Sequence, residues 1–568
     1  MKNSESNKIK KICIVGSGAG AGPIIYELSL AEFQVIVLEK GPWLKTADYA
    51  KDEISMTRRD VVTPRLIDEP QVIETQNNAG EWVGISNEIE GQNFWNGSVL
   101  GGSSNFMSGY FHRLKPNDFK MKSVYPPIEG ANIVDWPISY DDLEPYYDKV
   151  EKIIGVSGKI VPHKFQEKRS SPDFPYPPLA ENYVSQILDK ATQKLEIEII
   201  PMPRAILSRP AGKRNSCYYS NFCGSYACNS DAKGSSRAAL INIALETGNC
   251  QIIDQAKVFH LETNGNNKII KAHYHAKDGT SAYIEADIFV IAAQAIETSR
   301  LLLLSKNKEF PNGLANNHNQ VGKNLVFSAG GIGSGIFNFE KLSKEQAEKI
   351  NLPGVFINRS VHHYYEIKND DDQVIKGGIF DFLFEHANPI GKSIRNKWNK
   401  SGEFIYGEEF QNQLLHYFTK QRKLKFEIFI DWQPNDNCFV SLDPEIKDRW
   451  GDSVARLRLQ HHEHDVMVGK ILAQKGEDIL KEMGCHSVRS SIGTLPPPNL
   501  QAGGCRFGND PKTSVLDVNC KAHDVKNLYV SDGSFMPTGG SVTYTWTIYA
   551  NAFRVADKII EAINNSEL

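Results

Sequence analysis

The chain opens with apolar runs separated by small residues, a pattern that predicts strand, turn, helix and strand in that order. Ile12 to Val15 form a short continuous apolar run, which is typical of a buried strand. A stretch rich in glycine and alanine follows, and we expect a helix to start near Ala19. A second apolar run covers Gln34 to Leu38 and ends at Glu39. No apolar stretch reaches the ~18 residues that a membrane-spanning helix needs.

The turn after the first run has the form G-x-G-x-x-A at Gly16, Gly18 and Ala21. Gly16 permits a tight turn, Gly18 lets the backbone approach a pyrophosphate, and Ala21 allows close packing of helix and strand. The amino end of the helix favours phosphate groups. Glu39 follows after about 20 residues and suits a ribose hydroxyl. The unit predicts a dinucleotide site, but it does not separate NAD from FAD.

A second glycine cluster offers bare backbone amides and hydroxyl groups at Gly101, Gly102, Ser104 and Asn105. Such a loop suits the phosphates or the ring edge of a cofactor. Taken alone, it is more typical of a surface turn.

Composition narrows the function classes. The 568 residues are 40% hydrophobic and 23% charged, and the 64 basic residues nearly balance the 68 acidic ones. This balance argues against nucleic acid as the main partner. Nine cysteines in so long a chain do not form a disulfide scaffold. With no hydrophobic core ahead of the first strand, we predict a cytoplasmic protein, although a signal-bearing partner subunit could carry it elsewhere.

Several further segments occur in series along the chain. They are "NFWNGSVLGGSSNF" from Asn93, "DWPISYDDLEPYYDKV" from Asp135, "VIAAQAIETSRLLLLS" from Val290, "NCFVSLDPEIKDRWG" from Asn437, and "GGCRFGNDPKTSVLDVNC" from Gly503 with "NLYVSDGSFMPTGG" after it. Together they resemble the glucose–methanol–choline (GMC) oxidoreductases, especially bacterial members of the gluconate and sugar dehydrogenase type. The resemblance covers most of the chain and is weakest from about Phe339 to Lys425.

The resemblance implies an α/β fold with FAD as cofactor. It implies a doubly wound, Rossmann-type FAD-binding domain from residues 9–45, 90–118, 215–330 and 490–568. A second, α+β substrate domain with an antiparallel sheet would take residues 119–214 and 331–489. In the weakly matching stretch we expect a lid or a substrate-specific insertion. We expect its aromatic residues to be mostly core: Tyr364, Tyr365, Phe380, Phe382 and Phe384.

The same resemblance assigns roles to single residues and a reaction to the site. Gly16, Gly18 and Glu39 would hold the ADP part, with Ala21 behind them. The flavin would be lined by Gly101, Gly102, Ser104 and Asn105. The adenine would meet the backbone of Val258, and the ribityl–phosphate portion would lie beside Asp532 and Gly533. The family's activity is oxidation of a CH–OH group by hydride transfer to flavin N5.

Two positions depart from the family pattern. A histidine that serves as general base should stand three residues before Gly503, and Leu500 stands there instead. A second histidine or asparagine should stand at the head of the last helix, where Thr543 is followed by Tyr544. Leucine takes no proton, and threonine is no base near neutral pH. We therefore predict an intact cofactor frame with an atypical active site.

Other side chains could replace the missing pair. His462 and His464, with His461, crowd in "LQHHEHDVM", and His112, His486 and Tyr544 are further candidates. Each histidine is individually more typical of a surface or core position. We predict no metal site, because no acid or cysteine completes this cluster. Cys217, Cys223 and Cys228 lack the compact C-x₂-C spacing, so we predict no iron–sulfur cluster there.

The sequence leaves the reaction open between three hypotheses. The leading one is an FAD-dependent oxidoreductase acting on a small organic substrate. The others are a redox-neutral flavin lyase or decarboxylase, and a non-catalytic flavoprotein. The electron acceptor could be oxygen, a quinone or a partner subunit.

Overall fold

The structure, a computed structural model, describes residues 10–567 apart from 329, 400, 494 and 498. Its α-helices are α1 Gly22–Leu30, α2 Met121–Val124, α3 Tyr140–Val150, α4 Val184–Lys194, α5 Asn242–Glu246, α6 Ala295–Leu304, α7 Lys344–Asn351, α8 Pro389–Arg395, α9 Gly407–Thr419, α10 Glu463–Glu482 and α11 Thr545–Asn564. Its strands are β1 Lys11–Val15, β2 Gln34–Leu38, β3 Val72–Gln76, β4 Trp82–Ser86, β5 Ile200–Pro201, β6 Cys250–Ile253, β7 Lys257–Asn264, β8 Lys268–His275, β9 Ser281–Glu285, β10 Ile288–Ile291, β11 Val326–Phe327, β12 Gly331–Asn338, β13 Arg359–Val361, β14 Glu366–Lys368, β15 Val374–Lys376, β16 Gly378–Phe384, β17 Gln421–Ile430, β18 Phe439–Lys447, β19 Ser453–Arg458, β20 His486–Ser491, β21 Gln501–Ala502 and β22 Leu528–Val530.

A parallel sheet forms the centre of the cofactor half. Its strand order is β22-β10-β1-β2-β6, and Ile14 of β1 lies between Val290 of β10 and Val37 of β2. These strands read as continuous apolar runs because a parallel sheet is covered on both faces. Helices α1 and α11 pack against each other in this half. All five strands end at the same edge, where ligands bind in such sheets.

An antiparallel sheet forms the second half, with strand order β20-β12-β17-β16-β13-β5. Its long central strand β17 alternates between two faces. Leu424, Phe426 and Ile428 are buried in a core that includes Leu472 of α10. Lys425 and Glu427 belong to the opposite face of the same strand, which looks toward the cofactor half.

This architecture confirms the predicted fold class of a Rossmann-type domain with an α+β domain. The parallel sheet takes its strands from three of the predicted cofactor segments, whereas the domain limits remain predictions. The first helix begins at Gly22 rather than near Ala19, because Ala19 to Ala21 are still part of the turn. Residues 72–86 fall outside both predicted domains, and they contain β3 and β4, which pair beside β19.

The stretch from Phe339 to Lys425 supplies five strands as well as α7, α8 and α9. Tyr365, Phe380 and Phe382 are buried in the core, and Tyr364 and Phe384 pack against it. The aromatic residues therefore hold the sheet together, and none of the five lines the cavity described below.

Across the described part of the chain, no helix combines the length and the apolar character that crossing a membrane requires.

Candidate active site

A cavity of about 540 Å³ begins at the carboxyl edge of the parallel sheet and reaches the antiparallel sheet. The cofactor half lines it with residues of the two glycine loops and of β2. The second half lines it with Gly331, Ile332, Glu427 and Phe429. Its volume lies in the range of ligand and cofactor pockets, about 300–1,000 Å³.

The first glycine turn is shaped by two different constraints. Gly16 has φ +94°, and a Cβ there would lie 2.2 Å from the carbonyl oxygen of Ala292. Gly18 has no heavy atom within 4 Å of its Cβ position and lines the cavity. The protein therefore fills the space beside Gly16 and leaves the space beside Gly18 to a ligand. Ala21 is buried behind the turn, where it caps α1.

Glu39 stands at the end of β2 with its carboxylate fixed against the turn. The Ser17 hydroxyl donates to one oxygen at 2.5 Å, and the backbone N–H of Gly41 donates to the other at 2.8 Å. Burial raises the pKa of Glu39, and these hydrogen bonds oppose that rise. A carboxylate oriented in this way suits a ribose diol.

The second glycine loop is tied to the first. The Gly101 N–H donates to the Ser17 hydroxyl at 2.8 Å, and a Cβ on Gly102 would lie 3.1 Å from Cα of Gly18. The Asn105 side chain donates to the carbonyl of Gly102 at 3.0 Å. Gly102 and Ser104 line the cavity, whereas Gly101 and Asn105 brace the loop from behind.

The remaining predicted cofactor residues, Val258, Asp532 and Gly533, also line the cavity. The Asp532 carboxylate accepts from the backbone N–H of Gln294 at 3.0 Å and of Ser534 at 2.9 Å. Burial raises the pKa of Asp532. Two glycine loops, a ribose-type carboxylate and an open Gly18 together fit a dinucleotide cofactor such as FAD.

Leu500, Thr543 and Tyr544 all line the same cavity. Leu500 has φ +57°, and the Tyr544 hydroxyl donates to its carbonyl oxygen. The Thr543 hydroxyl donates to the carbonyl of Tyr110 at 3.2 Å. Burial raises the pKa of Tyr544 well above its usual range, so it keeps its proton at neutral pH. None of the three supplies a base near neutrality.

The structure places the histidine cluster outside the cavity lining. His462 caps α10 by accepting from the backbone N–H of His464 at 3.2 Å, and its other ring nitrogen lies 2.9 Å from the carbonyl of Glu129. His461 stacks on Trp432 with 4.2 Å between ring centroids. Within the described residues, no three His, Cys, Asp or Glu side chains are grouped so that they could hold a metal ion.

His112 is buried and pairs with Asp381, with 3.1 Å between its Nε2 and a carboxylate oxygen. His486 lies on β20 beside Ser487. Neither histidine lines the cavity.

Sequence reasoning missed several ionisable residues that line the cavity, among them Glu427 and His386. Burial raises the pKa of Glu427 to about 7, and the nearby Asp381 adds to that rise. Burial, followed by the charge of Lys425, lowers the pKa of His386 to about 4. No local motif marks either residue, because their position depends on how distant strands pair.

The three cysteines near residue 220 are free thiols, and two lysines lie among them. Burial raises the pKa of Cys217 to about 11. Burial opposes ionisation of Cys228, yet the charge of Lys233 together with hydrogen bonds from Ser230 and Lys233 lowers the pKa of that thiol. The absence of an iron–sulfur cluster here remains a prediction.

Two family models match the chain, both described as GMC oxidoreductase. One matches residues 179–328 and the other matches residues 434–552.

Curated relatives match over most of their length. The 2-methyl-1,2-propanediol dehydrogenase of Mycolicibacterium austroafricanum is 27% identical over 566 residues, covering 96% of this chain and 94% of the relative. The fructose dehydrogenase large subunit of Gluconobacter japonicus is 30% identical over 469 residues, covering 81% of this chain and 80% of the relative.

Among solved structures, pyridoxine 4-oxidase from Mesorbium loti superposes with a TM-score of 0.61 at 16% identity, over 97% of this chain and 99% of that one. A formate oxidase superposes with a TM-score of 0.63 at 14% identity, over 99% of this chain and all of that one. These two likenesses concern the fold.

Proposed function

This chain belongs to the GMC oxidoreductase family, an FAD-dependent family, and on that premise we propose that it oxidises a compact alcohol or diol at the cavity end that holds Leu500. The observation that carries the proposal is a single cavity bounded by both glycine loops, by Glu39 and by the antiparallel sheet. Bound FAD supplies a two-electron acceptor for the hydride of a carbinol carbon.

Residues at the two ends of the cavity would have different roles, cofactor binding at one end and substrate contact at the other. Glu39 and the turn around Gly18 would hold the ribose and the phosphates. Leu500, Phe429 and Ile332 would form an apolar wall at the far end, with Glu427 among its few ionisable neighbours. Such a lining favours a compact aliphatic alcohol over a sugar, whose many hydroxyls need polar partners. The dehydrogenase relative named for 2-methyl-1,2-propanediol supports the same class.

An anaerobic spectrum tests this proposal. We would mix the purified FAD-loaded protein with 2-methyl-1,2-propanediol, 1-butanol, fructose or gluconate, and follow the flavin absorbance. We expect an aliphatic alcohol or diol to bleach the flavin faster than fructose or gluconate. If dithionite bleaches the flavin but none of the four compounds does, the proposed alcohol oxidation is wrong, and a redox-neutral reaction takes its place as the proposal.

The electron acceptor is a separate part of the proposal, for which we consider oxygen, a quinone and a partner subunit. The relative described as a large subunit supports an acceptor carried by a partner. Oxygen uptake with hydrogen peroxide release would identify an oxidase. Reduction of a quinone analogue without oxygen uptake would identify a dehydrogenase. The cytoplasmic location stays a prediction.

A further inference from the structure

We propose that Glu427 is the acid–base residue of this site, accepting the hydroxyl proton of the substrate in place of the histidine that Leu500 replaces. This inference rests on the proposed function. The proposed catalytic residue lies on the antiparallel sheet. The family pattern instead predicts the base in the carboxy-terminal segment, at Leu500 or Thr543.

Strand pairing brings Glu427 and Leu500 to the same cavity. Leu500 directly precedes β21, in which Gln501 pairs with Phe327 of β11. A few residues after β11 the chain enters β12, in which Ile332 pairs with Glu427 of β17. Leu500, Ile332 and Glu427 all line the cavity. The two residues therefore belong to the lining of one cavity, Glu427 on the antiparallel sheet and Leu500 just ahead of β21.

The Glu427 carboxylate lacks a hydrogen-bond partner within the described part of the chain, unlike other acids buried nearby. Asp381 is paired with His112, and Glu39 accepts from Ser17. A partly buried carboxylate without partners is costly unless something else, such as solvent or a ligand in the cavity, satisfies it. Because Glu427 opens onto the cavity, a substrate hydroxyl is the donor that fits.

Charged groups around Glu427 have opposing effects on its pKa. Burial, together with the like charge of Asp381 on the paired position of β16, raises its pKa to about 7 against the opposing charges of Lys425 and Arg204. The charged or titratable groups that act on it, or on which it acts, are Lys425, Asp381, Arg204 and Tyr110, and His386 lines the same cavity. An acid that titrates near working pH is well matched to general base catalysis.

The proposed step balances in protons and electrons. The substrate O–H bond breaks and its proton moves to a Glu427 oxygen. The C–H bond of the same carbon would break as the carbon–oxygen bond becomes double, so the alcohol would lose two electrons and one hydride. Bound FAD would supply the acceptor for that hydride. Glu427 then returns its proton to solvent through the open cavity.

His386 is the rival base, since it also lines the cavity. Its lowered pKa of about 4 makes it a weak proton acceptor at neutral pH. It lies just beyond the end of β16, against Gly224, rather than within the strand that carries Glu427. Its role is therefore tested beside that of Glu427.

The experiment compares anaerobic FAD reduction in five proteins from pH 5 to pH 9, using the panel alcohol that bleaches the wild type fastest. The proteins are the wild type, Glu427→Gln, Glu427→Asp, His386→Gln and the control Glu445→Gln. We expect Glu427→Gln to slow reduction by about 10²–10⁴-fold and to lose the pH dependence near 7. Glu427→Asp should recover part of the rate. The control Glu445→Gln, on an exposed site of β18, should match the wild type.

An infrared titration provides a readout that needs no turnover. The wild type should show a carboxyl band that disappears as the pH rises through about 7, and Glu427→Gln should lack it. A Glu427→Gln variant that keeps its FAD, its rate within about threefold and its pH profile would overturn the inference while leaving the proposed function intact. Loss of the pH dependence in His386→Gln instead would also overturn it. If no panel alcohol bleaches the wild type, both proposals fail together.

Discussion

Residue 500 combines an unusual side chain with an unusual backbone conformation. The family pattern predicts a histidine there, and the chain has a leucine with φ +57°. A leucine in the left-handed region costs about 1–2 kcal/mol relative to ordinary conformations. Its carbonyl accepts from Tyr544, which holds that conformation in place. That this site has the frame for a base without the base remains a prediction.

Introducing the family histidine tests whether this end of the cavity is built for an apolar contact. Leu500→His should fold normally, because histidine tolerates positive φ better than leucine does. We expect the rate of FAD reduction by the true substrate to fall about tenfold or more, since a polar ring replaces an apolar wall. Stopped-flow absorbance measures it, with Leu500→Met as the control. A rise in alcohol oxidation would show instead that the scaffold had merely lost its base.

Glu427 should leave a signature in the pH dependence of stability. Its folded-state pKa of about 7 lies above the ordinary value of 4.5, so the folded protein keeps a proton that the unfolded chain has released. Stability from this group is therefore present at low pH and is lost as the pH rises from about 4.5 to about 7. The loss is at most about 3 kcal/mol.

Thermal unfolding of Glu427→Gln and of the wild type at pH 5 and pH 8 checks the sign. The variant should gain stability relative to the wild type at pH 8 compared with pH 5. An equal difference at both pH values would mean that the Glu427 pKa is not raised.

At the scale of elements, the two glycines of the first turn have opposite surroundings, and matched substitutions separate their roles. Gly16→Ala should reduce folded yield, because it strains a positive φ and places a Cβ 2.2 Å from the Ala292 carbonyl. Gly18→Ala should fold with unchanged helix content but retain much less FAD, because its Cβ points into the cavity. Circular dichroism and the flavin-to-protein absorbance ratio measure the two effects. Full FAD content in Gly18→Ala would contradict the placement of the cofactor at this turn.

Local sequence patterns correctly predicted the elements whose residues lie close together in the chain. The run Ile12 to Val15, the glycine turn and Glu39 lie where the apolar pattern and the motif spacing placed them. The helix start was misplaced by three residues, because alanines in a turn resemble a helix. Sequence reasoning missed Glu427, because its place in the cavity depends on strand pairing. Glu427 pairs with Asp381 and with Ile332, which lie on strands that are distant from it in the chain. The histidine cluster was chosen by density, which says nothing about where a sheet places it.

At the scale of the whole molecule, the cavity exists because two sheets meet around it. Each sheet collects strands from separated segments of the chain, so no single stretch contains the site. The family resemblance predicted this division into two sheets. Only the structure shows strands β3 and β4 and the way the stretch from Phe339 to Lys425 packs. The central claim is that an alcohol is oxidised in this cavity, between the cofactor edge of one sheet and the face of the other.

The cysteine turn gives a further prediction about the whole protein. We expect purified protein to contain iron well below one atom per chain, and Cys223→Ser to keep its FAD. Atomic absorption measures the iron, with a protein of known iron content as the reference. Iron in stoichiometric amounts, lost in Cys223→Ser, would show that these thiols hold a cluster.

The most direct test of the central claim is anaerobic stopped-flow reduction of FAD by the best panel alcohol, with hydrogen or deuterium on its carbinol carbon. The account predicts bleaching of the flavin band by both, with a slower rate for the deuterated alcohol because its C–H bond breaks in that step. A flavin that dithionite reduces but that no alcohol bleaches would contradict the account.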